Sequence, residues 1–211
     1  MRQVVDEGAL VVPAGTAAPA RVPAAVFTAA AAAYAAGRRL DMQSLARELG
    51  VARATLYRRA GNREELLDEV IWWRSRGLLT EQVRSTSGRR GIPRIVAVID
   101  GVLRAVERDQ ALRTFLESDP EVALRILTGT RSTVQRGMTA ALESLIDLER
   151  DRGAFATGLD TPTLAYAIVR ICEAFLYADV IADSPRDIGR AVTLIEALLS
   201  GLDLGPRAAT P

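Results

Sequence analysis

Apolar residues recur along this chain three and four positions apart, and no stretch of useful length alternates with period two. That rhythm marks helices with one face turned to a core, so the chain is expected to be all-α, with about nine helices. Glycine and proline punctuate it. After Pro23, the alanine-dense run Ala24 to Ala36 carries Val26, Phe27 and Tyr34 and stops at Gly37; alanine is the best helix former. Asp41 is placed to cap a short helix, Met42 to Leu49, ended by Gly50. A second short helix, Ala52 to Ala60, closes at Gly61. Asn62 is placed to cap a long helix from Arg63 to about Ser85, with Glu64 and Glu65 in the first turn, where the helix dipole favours anions. Pro93 opens a fifth helix reaching about Asp109. Asp119-Pro120, Thr161-Pro162 and Ser184-Pro185 each read as a cap followed by a first-turn proline, starting helices that end near Gly129, Ala182 and Leu202. Ser132 to Arg152 reads as one more helix, stopped by Gly153. Residues 1–21, with Pro13, Gly15 and Pro19, show no sustained periodicity and read as a flexible arm, and 205–211 as a flexible tail.

Composition narrows the chemistry. The chain has 211 residues, 49% of them hydrophobic, enough to bury a core. No run approaches the roughly 20 uncharged apolar residues that span a bilayer; the most apolar stretch, Leu164 to Ala182, is broken by Arg170, Glu173 and Asp179. The N-terminus lacks the basic start and continuous apolar stretch of a signal peptide. Cys172 is the only cysteine, which excludes an intrachain disulfide and argues against a thiolate zinc site. These features point to the cytoplasm, with no membrane partner.

Histidine and lysine are both absent. The commonest general base and metal ligand, Schiff-base chemistry and a Walker-type phosphate loop go with them. An enzyme would have to rest on carboxylates such as Asp100, Glu107, Asp147 or Glu149, and a helical di-metal site would lack its histidines. No catalytic residue, metal or cofactor is expected. The formal net charge is only +1, but between Arg38 and Arg63 seven arginines face only Asp41 and Glu48, a local excess of five positive charges. A compact basic segment on an otherwise acidic body is the electrostatic footprint of nucleic-acid binding. A helical protein-interaction module is the alternative, and it has no need of the basic segment.

Two short helices joined by a glycine-containing turn occupy that segment. Leu45, Leu49, Val51 and Leu56 fall where they must pack on each other, Ala46 is small enough to let them approach, and Gly50 sits at the turn. The pattern Leu45-Ala46-x-x-x-Gly50-Val51-x-x-x-Thr55-Leu56-Tyr57, followed by Gly61-Asn62-Arg63-Glu64-Glu65-Leu66-Leu67, resembles the DNA-binding head of the TetR family of bacterial regulators. The likeness covers residues 24–70. Arg170 to Tyr177 resembles the penultimate helix of some members, and the chain is most similar to actinobacterial members grouped with a regulator of quorum-signal lactone degradation. Three departures stand out: Ala52 removes the usual Ser or Thr cap, Arg59-Ala60 replaces the usual His-Phe, and the loop Gly37 to Asp41 is short.

The resemblance implies a head at 22–66 and a ligand-binding and dimerisation body at 67–204. It implies that Arg53, Ala54 and Thr55 face base edges, that Tyr57, Arg59 and Arg63 hold phosphates, and that Gln43 lies near the backbone or a base. Arg58 joins the DNA-binding candidates, although it sits off the expected face. The implied partners are a double-stranded palindromic operator, a small apolar or amphipathic effector that releases a repressor, and a second copy of the chain. Candidate effector residues are Trp72, Trp73, Phe115, Tyr166, Arg170 and Glu173. Candidate dimer residues are Tyr177, Ile188, Val192, Ile195 and Leu199. Tyr166, Arg170, Glu173 and Tyr177 share one helical face, read as interface, pocket wall or a self-satisfied Arg170–Glu173 pair. A second apolar stripe on the last helix, Ala191, Leu194 and Leu198, exceeds what one packing face needs.

Overall fold

The structure is a computed structural model that describes residues 22–204; the arm expected at 1–21 and the tail at 205–211 lie outside the described residues. Among the described residues the fold is helical throughout, with α1 (Ala24–Ala35), α2 (Met42–Glu48), α3 (Arg53–Ala60), α4 (Arg63–Ser85), α5 (Gly91–Glu107), α6 (Gln110–Ser118), α7 (Pro120–Thr128), α8 (Thr133–Asp151), α9 (Thr161–Leu176), α10 (Ala178–Ile181) and α11 (Ile188–Leu202). None of these helices is long and apolar enough to cross a membrane.

Two helices exceed the expected nine. The interval after the fifth helix holds α6, begun by Asp109, whose carboxylate accepts the N–H groups of Ala111 and Leu112. The helix expected to run from Thr161 to Ala182 stops at Leu176, because Tyr177 leaves the helical region at φ −111°, ψ 19°, and the single turn α10 follows. Ser184-Pro185 does not start the last helix; Asp187 does, accepting the Arg190 N–H at 2.8 Å, while 184 and 185 stay in an exposed loop. The fifth helix begins at Gly91, two residues before Pro93.

The described chain forms two compact units, one of residues 22–77 with 108–137 and the other of 78–107 with 138–204, so α4 and α8 supply residues to both. In the first, Val26, Phe27, Ala30, Tyr34, Leu45, Leu56, Leu66, Val70, Phe115 and Ile126 are buried. Each large side chain taken out of water here contributes about 1.5–3 kcal/mol. Trp73 meets Phe27 edge to face at 5.7 Å, and Tyr34 meets Phe115 the same way at 6.1 Å. Such pairs add to their area burial through the ring quadrupole.

In the second unit α11 packs on α5 and α9 around Ile95, Val98, Ile168, Ile195 and Leu199. At its centre lies a buried ion pair. Arg94 Nη1 donates to Glu149 Oε1 at 2.9 Å, with the two side chains 1% and 0% exposed. Glu149 also accepts the Gly91 N–H at 2.6 Å and Arg152 at 3.2 Å. A carboxylate with three donors offsets much of its lost hydration. Gly91 is required: its φ is +60°, and a side chain there would strike the Ala154 carbonyl.

Candidate nucleic-acid interface

The first short helix of the motif is set by its cap. Asp41 is extended at φ −116°, ψ 118°, and its carboxylate accepts the N–H of Ser44 at 2.7 Å and of Gln43 at 3.4 Å. Hydrogen bonding from Ser44 holds the Asp41 carboxyl below its usual range. Leu45, Ala46 and Leu56 are buried where α2 and α3 meet. Leu49 and Val51 are half-buried. Gly50, at φ +65°, makes the turn, and the Val51 N–H returns to the Ala46 carbonyl at 3.0 Å. Ala52 sits at the cap position of α3 and supplies no side-chain hydrogen bond.

With its apolar side committed, α3 turns its polar side outward. Arg53, Ala54, Tyr57, Arg58 and Arg59 are exposed, as is Gln43 on α2, and Thr55 is half-buried. The α3 segment holds three arginines and no acid. Arg53 lies over the Tyr57 ring, its guanidinium carbon 5.3 Å from the centroid, and donates to the hydroxyl at 3.4 Å. This i, i+4 stack restricts an otherwise flexible arginine at the start of the helix that would read bases. A positive, acid-free helix face suits phosphates and guanine edges.

Arg63 is placed differently from its neighbours in the motif. Its Nε donates to the Leu40 carbonyl at 2.9 Å and its Nη1 to Asp119 at 2.8 Å. Ahead of it, Asn62 and Glu65 cap one another: the Glu65 N–H reaches the Asn62 side chain at 2.9 Å, and the Asn62 N–H reaches Glu65 at 3.1 Å. A side chain at Gly61, whose φ is +72°, would collide with the Glu65 carboxylate of this box.

The candidate effector residues divide between the units. Trp72, Trp73 and Phe115 belong to the first, and Tyr166, Arg170 and Glu173 to the second. The Trp72 ring lies so close against Gly137 that any side chain there would overlap it. On α9, Arg170 pairs with Glu173 at 2.6 Å and lies over Tyr166, 4.9 Å from the ring centroid. Burial outweighs Arg170 and pushes the Glu173 carboxyl up to about 7. Burial also pushes the Cys172 thiol up to about 12, so it is not a poised nucleophile.

The candidate dimer residues lie mostly inside the chain. Tyr177, at the end of α9, is buried within the chain, as are Ile188, Ile195 and Leu199, whose stripe of α11 the core takes, and Val192 is half-buried. The open side of α11 instead carries Leu194, 46% exposed, and α9 shows Tyr166, 45% exposed. Sequence reading passed over Asp68 and the capping role of Asp109, and took Asp119 for a cap without its partner. Each binds α4 to the start of a later helix: Asp68 accepts the N–H groups of Thr133 and Val134, Asp109 pairs with Arg74, and Asp119 with Arg63. The cap-like spacing of Asp109 and Asp119 was the available signal. Among the described residues no group of acids and cysteine is arranged to hold a metal ion.

Comparison with known proteins agrees with this geometry. The family of bacterial regulatory proteins, tetR family, matches residues 28–70, and the tetracyclin repressor-like C-terminal domain matches residues 90–200. Among solved structures, the R. erythropolis transcriptional repressor QsdR from the TetR family has a TM-score of 0.76 at 30% identity, over 88% of this chain and 96% of that one. A TetR family regulator, PfmR from Thermus thermophilus, is more distant, with a TM-score of 0.41 at 18% identity over 88% of this chain and 100% of that one. No curated protein matches the chain in sequence. The basic helix-turn-helix and the helical remainder are thus the two parts of a DNA-binding transcriptional regulator, and the chain belongs to the TetR family.

Proposed function

We propose that this regulator is a cytoplasmic repressor that binds a palindromic operator as a homodimer and is released by a small apolar or amphipathic effector. The observation that carries the reading is the outward face of α3, where Arg53, Ala54, Tyr57, Arg58 and Arg59 stand exposed on a packed helix-turn-helix, with Gln43 exposed on α2. In this reading Arg53, Ala54 and the half-buried Thr55 meet base edges, and Tyr57, Arg58, Arg59 and Gln43 meet the backbone. Residues 22–66 form the head, and 67–204 serve effector binding and dimerisation. The similarity to the repressor QsdR supports repression as the sign of control. Exposed Tyr166 and Leu194 on α9 and α11 support a second copy of the chain as the cover of that face. A homodimer needs its two recognition helices about 34 Å apart, or a multiple of that, to enter successive major grooves.

Selection of bound sequences from random DNA tests the reading. The expected product is an inverted repeat with fixed spacing, protected on one face of the duplex. Failure to enrich any sequence, or enrichment of an unpaired half-site alone, overturns it. Effector release is a shift between two body conformations. Trp72 and Trp73, both on α4, report it: quenching of tryptophan fluorescence and loss of operator affinity should share one effector concentration dependence, and quenching with unchanged affinity rejects the release mechanism.

A further inference from the structure

We propose that Asp119, at the start of α7, is a positioning residue for operator binding, and that it acts by holding Arg63 away from the DNA. The inference rests on the DNA-reading role of α3 and deepens it. Asp119 sits at the N-cap position of α7, yet its side chain makes no cap hydrogen bond. The carboxylate goes instead to Arg63, 2.8 Å away and 56 residues earlier, with the two side chains 22% and 19% exposed. An N-cap aspartate ordinarily satisfies its own helix. Here that role is given up for a contact with the first residue of α4.

Arg63 passes the constraint on. Its second donor holds the carbonyl of Leu40, the residue before Asp41, which caps α2. Arg63 itself follows the Gly61-Asn62 turn out of α3. One guanidinium therefore joins the entrance of α2, the exit of α3 and the start of α7. Two further carboxylates repeat the arrangement along α4. Asp68 caps α8 through Thr133 and Val134, at 2.7 and 3.1 Å. Asp109 caps α6 and pairs with Arg74 at 3.1 Å. The motif is thereby fastened to α6, α7 and the start of α8, all within the first compact unit. The recognition helix inherits its orientation from residues that lie outside the motif.

The two possible roles of Arg63 predict opposite signs for Asp119→Asn. If Arg63 positions the head, D119N and Arg63→Gln each weaken operator binding by about fivefold, the upper end for a lost, partly screened ion pair. The double variant is then no worse than the weaker single one, and the slope of log affinity against log salt is unchanged. If Arg63 is a phosphate contact, D119N frees it and tightens binding, and R63Q lowers the slope by about 0.9. Isotherms of the full-length protein on its selected operator and on random DNA, at several salt concentrations, separate the cases. Stoichiometric titration fixes the active fraction, so a merely unstable variant shows fewer competent molecules at an unchanged dissociation constant, and that result overturns the proposal. Arg125→Ala, which removes the exposed 3.5 Å pair with Glu64, is the control and should stay within about twofold. Wild-type binding to the operator is read first, so failure of the DNA-reading assignment is visible separately from failure of the Asp119 inference.

Discussion

Arginine does two different jobs in this protein, and α3 and α5 show them side by side. On α3, Arg53, Arg58 and Arg59 are exposed on a helix with no acid. On α5, Arg94 is sealed against Glu149. With lysine absent, every basic side chain is the same planar, permanently charged fork. Residue type therefore says nothing about role, and only the partner does. The lesson is that a charge kept out of internal pairs is available to a ligand, and a charge sealed inside contributes to the fold and nothing else.

The largest effect that could break this contrast comes from the sealed pair. Glu149→Ala leaves Arg94 buried with no counter-charge, and loss of one member of a buried pair costs about 3–5 kcal/mol. Urea unfolding should show a loss of that size, while the folded fraction keeps its affinity for DNA. A loss below about 1 kcal/mol means the pair is not sealed in solution. The opposite pattern is expected at α3. Arg53→Ala should leave the unfolding midpoint within about 0.5 kcal/mol of wild type, as ordinary surface changes do. It should also cost about 1–3 kcal/mol of discrimination at one base of each half-site. Competition between operator and single-base variants measures it, and uniform weakening across all sequences would reassign Arg53 to the backbone.

Glu173 sharpens the contrast from between the two extremes. It is paired with Arg170 yet sits where burial prevails, and its carboxyl rises from 4.5 to about 7. A carboxyl whose folded value is raised binds its proton more tightly in the folded state. Its contribution is therefore fully present below about pH 4.5 and is lost as pH climbs toward 7, at no more than about 1.4 kcal/mol per pH unit. Stability measured across that window should fall with rising pH from this group, and Glu173→Gln should flatten the fall. An identical slope in the variant removes the burial argument.

What was legible in the sequence follows the same physical division. Glycine, proline and aspartate caps act locally, so α1 to α4 and the start of α7 fall where spacing puts them. The fifth helix was expected to end at about Asp109, close to where α5 stops, but α6 beyond it went unread, because neither glycine nor proline marks its start. The stop at Tyr177 is equally silent. The exposed face of α3 was readable, because Leu56 and Ala60 must turn inward and so leave Arg53, Tyr57, Arg58 and Arg59 outside. The commitment of Arg63 was not, since its partner Asp119 lies 56 residues away and looked like an ordinary cap. The two apolar stripes on α11 were visible but, for a related reason, not ranked: only packing on α5 and α9 decides which is internal.

The smallest effect tests the start of α3 itself. The two helices of the motif begin differently: α2 has the Asp41 carboxylate on two of its N–H groups, and α3 has Ala52, with no side-chain acceptor. Ala52 is exposed and already extended, at φ −65°, ψ 140°, so a longer side chain meets neither strain nor crowding. Ala52→Ser places a hydroxyl where it can accept from the second or third N–H of α3, which is worth about 1 kcal/mol. Thermal unfolding should show the gain, and Asp41→Ala should show a loss of similar size at α2. The serine lies beside the base-reading face and not on it, so operator affinity and salt slope should stay as they are. If stability rises while affinity falls, the bare N–H groups of α3 already serve the DNA, and the uncapped helix belongs with the exposed arginines as part of the reading surface.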